Sequence, residues 1–168
     1  KCAAWDEFVL AQPRGSFFHL SGWKAVIEKA FGFATHYMFA EDGGEICGLL
    51  PLACVKRPIF GSALISTPLC VYGGAIGQAT ELEEVAAKKA RDLNVGYLEL
   101  RSQVRTEPDW PVSKNFFTFK RNLSNSHDQT LKAIPRKQRA EIRKGMKVNL
   151  QISNDRNIDL FYKIYSAS

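Results

Sequence analysis

Between Lys132 and Lys147 the chain reads Lys-Ala-Ile-Pro-Arg-Lys-Gln-Arg-Ala-Glu-Ile-Arg-Lys-Gly-Met-Lys. Seven cations face one carboxylate there, and the surplus equals the formal net charge of +6 carried by all 168 residues. Pro135 can open a helix, where its missing N–H costs nothing. At about 100° per residue, Arg136, Arg139, Arg143 and Lys147 then fall within roughly 80° of one another, with Lys137 beside them. A guanidinium fork matches phosphate bidentately, so a ladder of this kind suits an anionic, phosphate-bearing ligand. The bland alternative is a solvated helix face.

Other residues with chemical capacity are more dispersed. Ser21 and Trp23 either face a ligand or, for Trp23, pack into the core. Tyr72-Gly73-Gly74-Ala75-Ile76-Gly77 could cradle phosphate with backbone N–H groups or form a plain turn; it matches neither G-x-G-x-x-G nor a P-loop. Cys2, Cys47, Cys54 and Cys70 lack metal-ligand spacing, as do His19, His36 and His127, so no metal is expected. Free cysteines in apolar runs suit a reducing compartment. The composition, 45% hydrophobic and 24% charged, is that of a globular domain. The longest apolar run, Ile46 to Val55, is too short to span a bilayer and is broken by Pro51.

The elements that must position these residues follow from periodicity. Trp5 to Leu10 reads as an amphipathic turn. Phe17 to Ala30 reads as a helix packed by its aromatic side, with Ser21-Gly22 as a kink or its true start and Ser21 as the cap. Ala34 to Ala40, a turn at Asp42-Gly43-Gly44, and Glu45 to Val55 predict an antiparallel hairpin, with a bulge or edge position at Pro51. Leu64 to Val71 reads as a strand. Thr80 to Leu93 reads as a helix capped by Thr80 and Glu83, burying Leu82, Val85, Ala86, Ala90 and Leu93. Val95 to Leu100 predicts a strand with Glu99 and Arg101 on one side. Asn115 to Leu123 predicts another, its phenylalanines packing on a helix or stacking bases. A helical turn at Asp128 to Ala133, the basic helix, a strand from Val148 to Ile152 and a helix from Asp155 complete one α/β unit. The construction looks like residues 1–153 of one domain, with 154–168 leading into a second.

Six pieces in order carry a resemblance: Ser16-Phe17-Phe18-His19-Leu20-Ser21-Gly22-Trp23; Gly48-Leu49-Leu50-Pro51-Leu52; Pro68 with Tyr72-Gly73-Gly74; Tyr97-Leu98-Glu99-Leu100-Arg101; Ile134-Pro135-Arg136-Lys137-Gln138-Arg139 with Ile142-Arg143-Lys144; and Phe161-Tyr162-Lys163-Ile164-Tyr165. Together they resemble FemAB-like proteins, most closely the branch associated with exosortase and PEP-CTERM exopolysaccharide systems. The resemblance implies a GNAT-like acyltransferase fold, α/β (α+β), with a mixed sheet flanked by helices, as the first of two tandem domains. It implies aminoacyl or acyl transfer of the peptidyltransferase type, in the cytoplasm, onto a cell-envelope or exopolysaccharide-related acceptor. Aminoacyl-tRNA would be the co-substrate, with no bound cofactor. Relatives carry a phosphate-contacting lysine after the tryptophan, which makes Lys24 a further candidate. Their catalytic surface lies mostly beyond residue 168, so no catalytic residue is assigned, and the chain alone is expected to be inactive.

Two other classes compete. A tRNA-binding module without catalysis fits the isoelectric point of 9.2 and the basic helix, although no groove-reading motif is present. An acetyl-CoA-dependent N-acetyltransferase would carry Gln or Arg followed by x-x-Gly-x-Gly/Ala before a helix. Arg57 to Ala63 comes nearest and has one residue too many before Gly61.

Overall fold

The computed structural model of the protein describes residues 2–57, 59, 61–105, 109–113, 117–148, 151 and 154–167. The chain divides into two compact units, Lys1–Val112 and Ser113–Ser168.

The first unit is a mixed sheet flanked by helices. Helix α1 spans Cys2–Ala11, a full helix where a turn was expected, and buries Trp5 and Val9. A single 3-10 turn at Phe17–His19 precedes α2, Ser21–Phe31. The aromatic run is therefore broken before Gly22, as the glycine suggested, but Ser21 is the first helical residue and Leu20 occupies the cap position. Strands β1 (Ala34–Asp42) and β2 (Glu45–Arg57) form the expected antiparallel hairpin. Gly43 and Gly44 both take positive φ, 58° and 90°, which lets the turn follow the strand twist.

Strand β3, Gly61–Ser66, pairs antiparallel with β2. It begins earlier than the apolar run suggested and ends at Ser66, because Thr67 and Leu69 turn to positive φ. The two-residue β4, Ile76–Gly77, pairs with Gly48 and Leu49 of β2. Pro51 lies in the gap between that pairing and the β3 pairing that starts at Leu52. A central strand thus tolerates proline where its ladder is interrupted on one side. The register shift of the hairpin falls at Ala40/Glu41 instead.

Helix α3, Thr80–Asp92, follows β4 and leads into β5, Tyr97–Glu99, which runs parallel to β3. A parallel pair needs such a crossover. Ala79, not Thr80, is the N-cap and contributes no side-chain bond, so the expected capping box is not formed. Val85 is exposed, whereas Glu83 is buried. Alternation along β2 sends Leu50, Leu52 and Cys54 toward Leu82, Ala86 and Ala90 of α3, the main core. Leu49 and Ile76 join Trp5 and Val9 in a second cluster.

The second unit contains α4 (His127–Lys132), α5 (Arg136–Lys147) and α6 (Ile158–Ser166). Of the strand expected at Asn115 to Leu123, residues 115 and 116 lie outside the described residues. Residues 117–123 form no strand, and Phe117 and Phe119 are exposed. Alternating phenylalanines do not hold a strand without a neighbour to pair with. Val148 closes α5 as its C-cap, and most of the strand expected after it lies outside the described residues. No helix among the described residues is long and apolar enough to cross a membrane.

Candidate functional site

Helix α5 carries the strongest concentration of charge, and its surroundings decide which cations are available. Ser126 caps α4 by accepting from Gln129 N. The chain then turns at Ile134-Pro135, whose carbonyl accepts the first helical bond, from Arg139 N at 3.0 Å. Pro135 offers no side-chain acceptor, and the first turn of α5 holds no acidic residue. Arg136 and Lys137 occupy that turn instead, at the positive end of the helix dipole, where cations cost about 0.3–1 kcal/mol each. A local choice that works against stability marks a place where an anion is favoured.

Arg136, Arg143 and Lys147 line up within roughly 40° along about 16 Å of helix. All three are exposed, as is Lys137. Among the described residues none of the four has a carboxylate within ion-pair distance. Arg139 differs. It is half-buried, and its guanidinium donates to the Lys132 carbonyl at 3.0 Å, while Arg121 donates to the Ala133 carbonyl at 2.7 Å. Two guanidiniums therefore hold the C-terminal carbonyls of α4, a favourable place for cations. Arg139 is foremost a local clamp, and the ladder proper is Arg136, Arg143 and Lys147. Lys144 pairs with Glu141 at 2.9 Å, an exposed contact of small value.

The other candidates lie in the first unit, and most are already occupied. Ser21 gives its N–H and its hydroxyl to the two oxygens of Asp6, at 2.7 and 2.8 Å, so Asp6 anchors the start of α2. Trp23 packs edge-to-face on Phe17 and Phe18. Lys24 pairs with Glu28 at 2.6 Å, and Glu28, which Thr35 also contacts, has its carboxyl lowered by those bonds. That pairing removes Lys24 from the set of uncompensated cations.

Tyr72, Gly73 and Gly74 follow the strained turn after β3 and meet the end of β5. Both glycine N–H groups donate to the Arg101 carbonyl at 3.2 Å. A Cβ at Gly73 would lie 1.5 Å from Thr67 Oγ1, and one at Gly74 would lie 2.2 Å from Ser102 Oγ. The glycines let two loops touch and do not present free donors, so the phosphate-cradle reading does not fit. The opening they share with His19 and Arg101 has room of ≈ 10 Å3, the scale of one water.

Sequence spacing missed the residues that lock this junction. Arg101 donates through Nε to Glu99 at 2.7 Å and through its guanidinium to the Cys70 carbonyl at 2.5 Å, and its N–H donates to Ser66 Oγ. Burial pushes the Cys70 thiol up, partly opposed by Trp23, Thr67 and the Arg101 charge. The Tyr37 hydroxyl is buried without a hydrogen-bond partner among the described residues. The spacing of Glu99 and Arg101 put them on one side of the strand without indicating that they pair, and nothing in sequence signalled the link to Cys70.

His19 is buried between elements far apart in sequence. Ser16 N–H can only donate, so His19 Nδ1 accepts from it at 3.2 Å, and Nε2 carries the proton given to the Gly74 carbonyl at 2.9 Å. Desolvation lowers its pKa, opposed by the bonds to Gly74 and Ser16. A histidine whose folded pKa is depressed lends stability that is fully present above the unfolded value near 6.5. That stability is lost as pH falls through the folded pKa. His36 is lowered too, by desolvation and by Lys89, and acts with the same sign. The melting temperature is expected to drop between pH 7 and pH 5. In His19→Asn, whose side-chain oxygen can still accept from Ser16, the drop should shrink. An unchanged slope in that variant and in His36→Gln would remove both histidines as its source.

No sequence profile of a known protein family matches the chain, and no curated protein matches it in sequence. Among solved structures it is similar to a ribosomal-protein-alanine N-acetyltransferase from Brucella melitensis biovar Abortus 2308, with 13% identity, 69% of this chain and 92% of that one covered, and a TM-score of 0.40.

Proposed function

We propose that this chain forms part of a FemAB-like aminoacyl or acyl transferase, of the branch associated with exosortase and PEP-CTERM systems, working in the cytoplasm on a phosphate-bearing cell-envelope or exopolysaccharide-related acceptor. The observation that carries this reading is the uncompensated face of α5, where Arg136 and Lys137 add charge to a helix end that already attracts anions. Its role would be to hold the acceptor's phosphate while an activated ester is brought to an amine, catalysis by positioning and charge compensation. The six motifs in order support the family, and the mixed sheet with its parallel crossover accords with the fold that the resemblance implies. Aminoacyl-tRNA is the donor in this reading, and the reacting groups belong to a second domain of the same protein. Incubated alone with acetyl-CoA or aminoacyl-tRNA and an amine acceptor, the 168-residue chain is expected to show no turnover. Sustained acetyl transfer by the chain would overturn the proposal in favour of an acetyl-CoA enzyme.

A further inference from the structure

A groove of ≈ 200 Å3 runs along the face of β3 and β5 that α3 does not cover. Its floor is apolar: Val55, Ala63 and Ile65 are each at least nine-tenths buried. Leu69 and Tyr97 form its sides and are more than half exposed, and Arg57 stands at one end. Arg101 and Glu99 also line it, but they neutralise each other at 2.7 Å. Arg57 has no carboxylate partner among the described residues, so the groove keeps one unmatched positive charge beside an apolar bed. The fold also holds Leu69 at φ 67°, a conformation costly for leucine, with its side chain on the groove. Strain of this kind collects at ligand clamps.

We propose that this groove is a binding site for a small amphiphilic carboxylate, an aryl or short acyl body seated on Val55, Ala63 and Ile65 with its carboxylate on Arg57. Size and charge both select this class. A cavity of about 150 Å3 accepts a benzene ring, whereas drug-sized ligands need roughly 300 Å3 or more, so an aryl or short acyl body fits and a large cofactor does not. The guanidinium fork supplies a bidentate partner for the carboxylate. The groove lies within the first unit, and the proposal does not depend on the role of the α5 cations.

The test uses the 168-residue chain with 4-phenylbutyrate, 4-phenylbutan-1-ol and acetate as probes, followed by amide shifts in two-dimensional NMR. The acid is expected to move the Val55, Ala63, Ile65 and Tyr97 signals and to bind about tenfold more tightly than the alcohol, with acetate weaker than either. Arg57→Gln should reduce the acid to the affinity of the alcohol. Leu69→Gly should weaken acid and alcohol together while leaving the melting temperature unchanged or raised, since glycine accepts positive φ. That opposition separates a binding role from a packing one. Equal binding of acid and alcohol, shifts that avoid the groove, or a preference that survives Arg57→Gln would each overturn the assignment.

Discussion

Gly73→Ala is expected to destabilise the first unit by about 3 kcal/mol, at the upper end of overpacking costs, and to lower its melting temperature by about 10–20 °C. The new Cβ would lie 1.5 Å from Thr67 Oγ1 and 2.7 Å from Thr67 Cβ. Thr67 cannot easily yield: it is 2% exposed, and its hydroxyl donates to the Tyr72 carbonyl at 2.8 Å. The backbone of Gly73 is not in the positive-φ region, so the cost is steric and not conformational. That distinction makes a rescue available. Thr67 sits at φ 44°, unfavourable for a β-branched residue, so Thr67→Gly relieves strain while it removes the atoms in the way. The double variant should recover most of the loss, giving a coupling of roughly 2 kcal/mol in a double-mutant cycle. Chemical denaturation of the four proteins measures it. Additive losses would show that Gly73 is needed for some reason other than the approach of Thr67.

The same junction shows where sequence reading stops. The β1–β2 hairpin, α2, α3 and α5 were legible because their signals are local: a glycine turn between alternating runs, or apolar residues at helical spacing. The end of β3 was not, because Leu64 to Val71 reads as one strand-prone run interrupted only by Pro68, and the break falls on Thr67 and Leu69, residues that locally disfavour positive φ. Tertiary bonds impose that turn, among them Arg101 to Ser66 and to Cys70. His19, itself held by Ser16, reaches Gly74 across 55 positions, a link that no spacing rule anticipates. The candidate site divides in the same way. That α5 would gather cations on one face follows from helix geometry alone. That Arg139, Lys24 and Ser21 would be engaged by the Lys132 carbonyl, Glu28 and Asp6 depends on which groups the fold, or the neighbouring helical turn, sets beside them.

Those engagements sharpen the test of the cationic face. Arg136→Ala and Arg143→Ala are each expected to weaken a phosphate-bearing ligand by about 1.5–3 kcal/mol, the scale of a charge-assisted hydrogen bond. Neither should change the melting temperature measurably, because exposed side chains away from special features contribute about half a kcal/mol or less. Arg139→Ala should behave differently and lower the stability of the second unit, since its guanidinium holds the Lys132 carbonyl. Arg139→Lys keeps the charge and loses the fork, and should fall between the two. Salt then separates the ligand classes. An extended polyanion such as tRNA that engages Arg136, Lys137, Arg143 and Lys147 should lose roughly 100-fold in affinity between 50 and 200 mM salt. A compact diphosphate on a nucleotide-linked acceptor reaches one or two rungs of a 16 Å ladder and should lose about 3- to 12-fold. Fluorescence titration of both ligands against the parent chain and these variants measures the whole set. If Arg136→Ala and Arg143→Ala bind as the parent does, or if they melt earlier while Arg139→Ala does not, the face is structural and the acceptor's phosphate is held elsewhere.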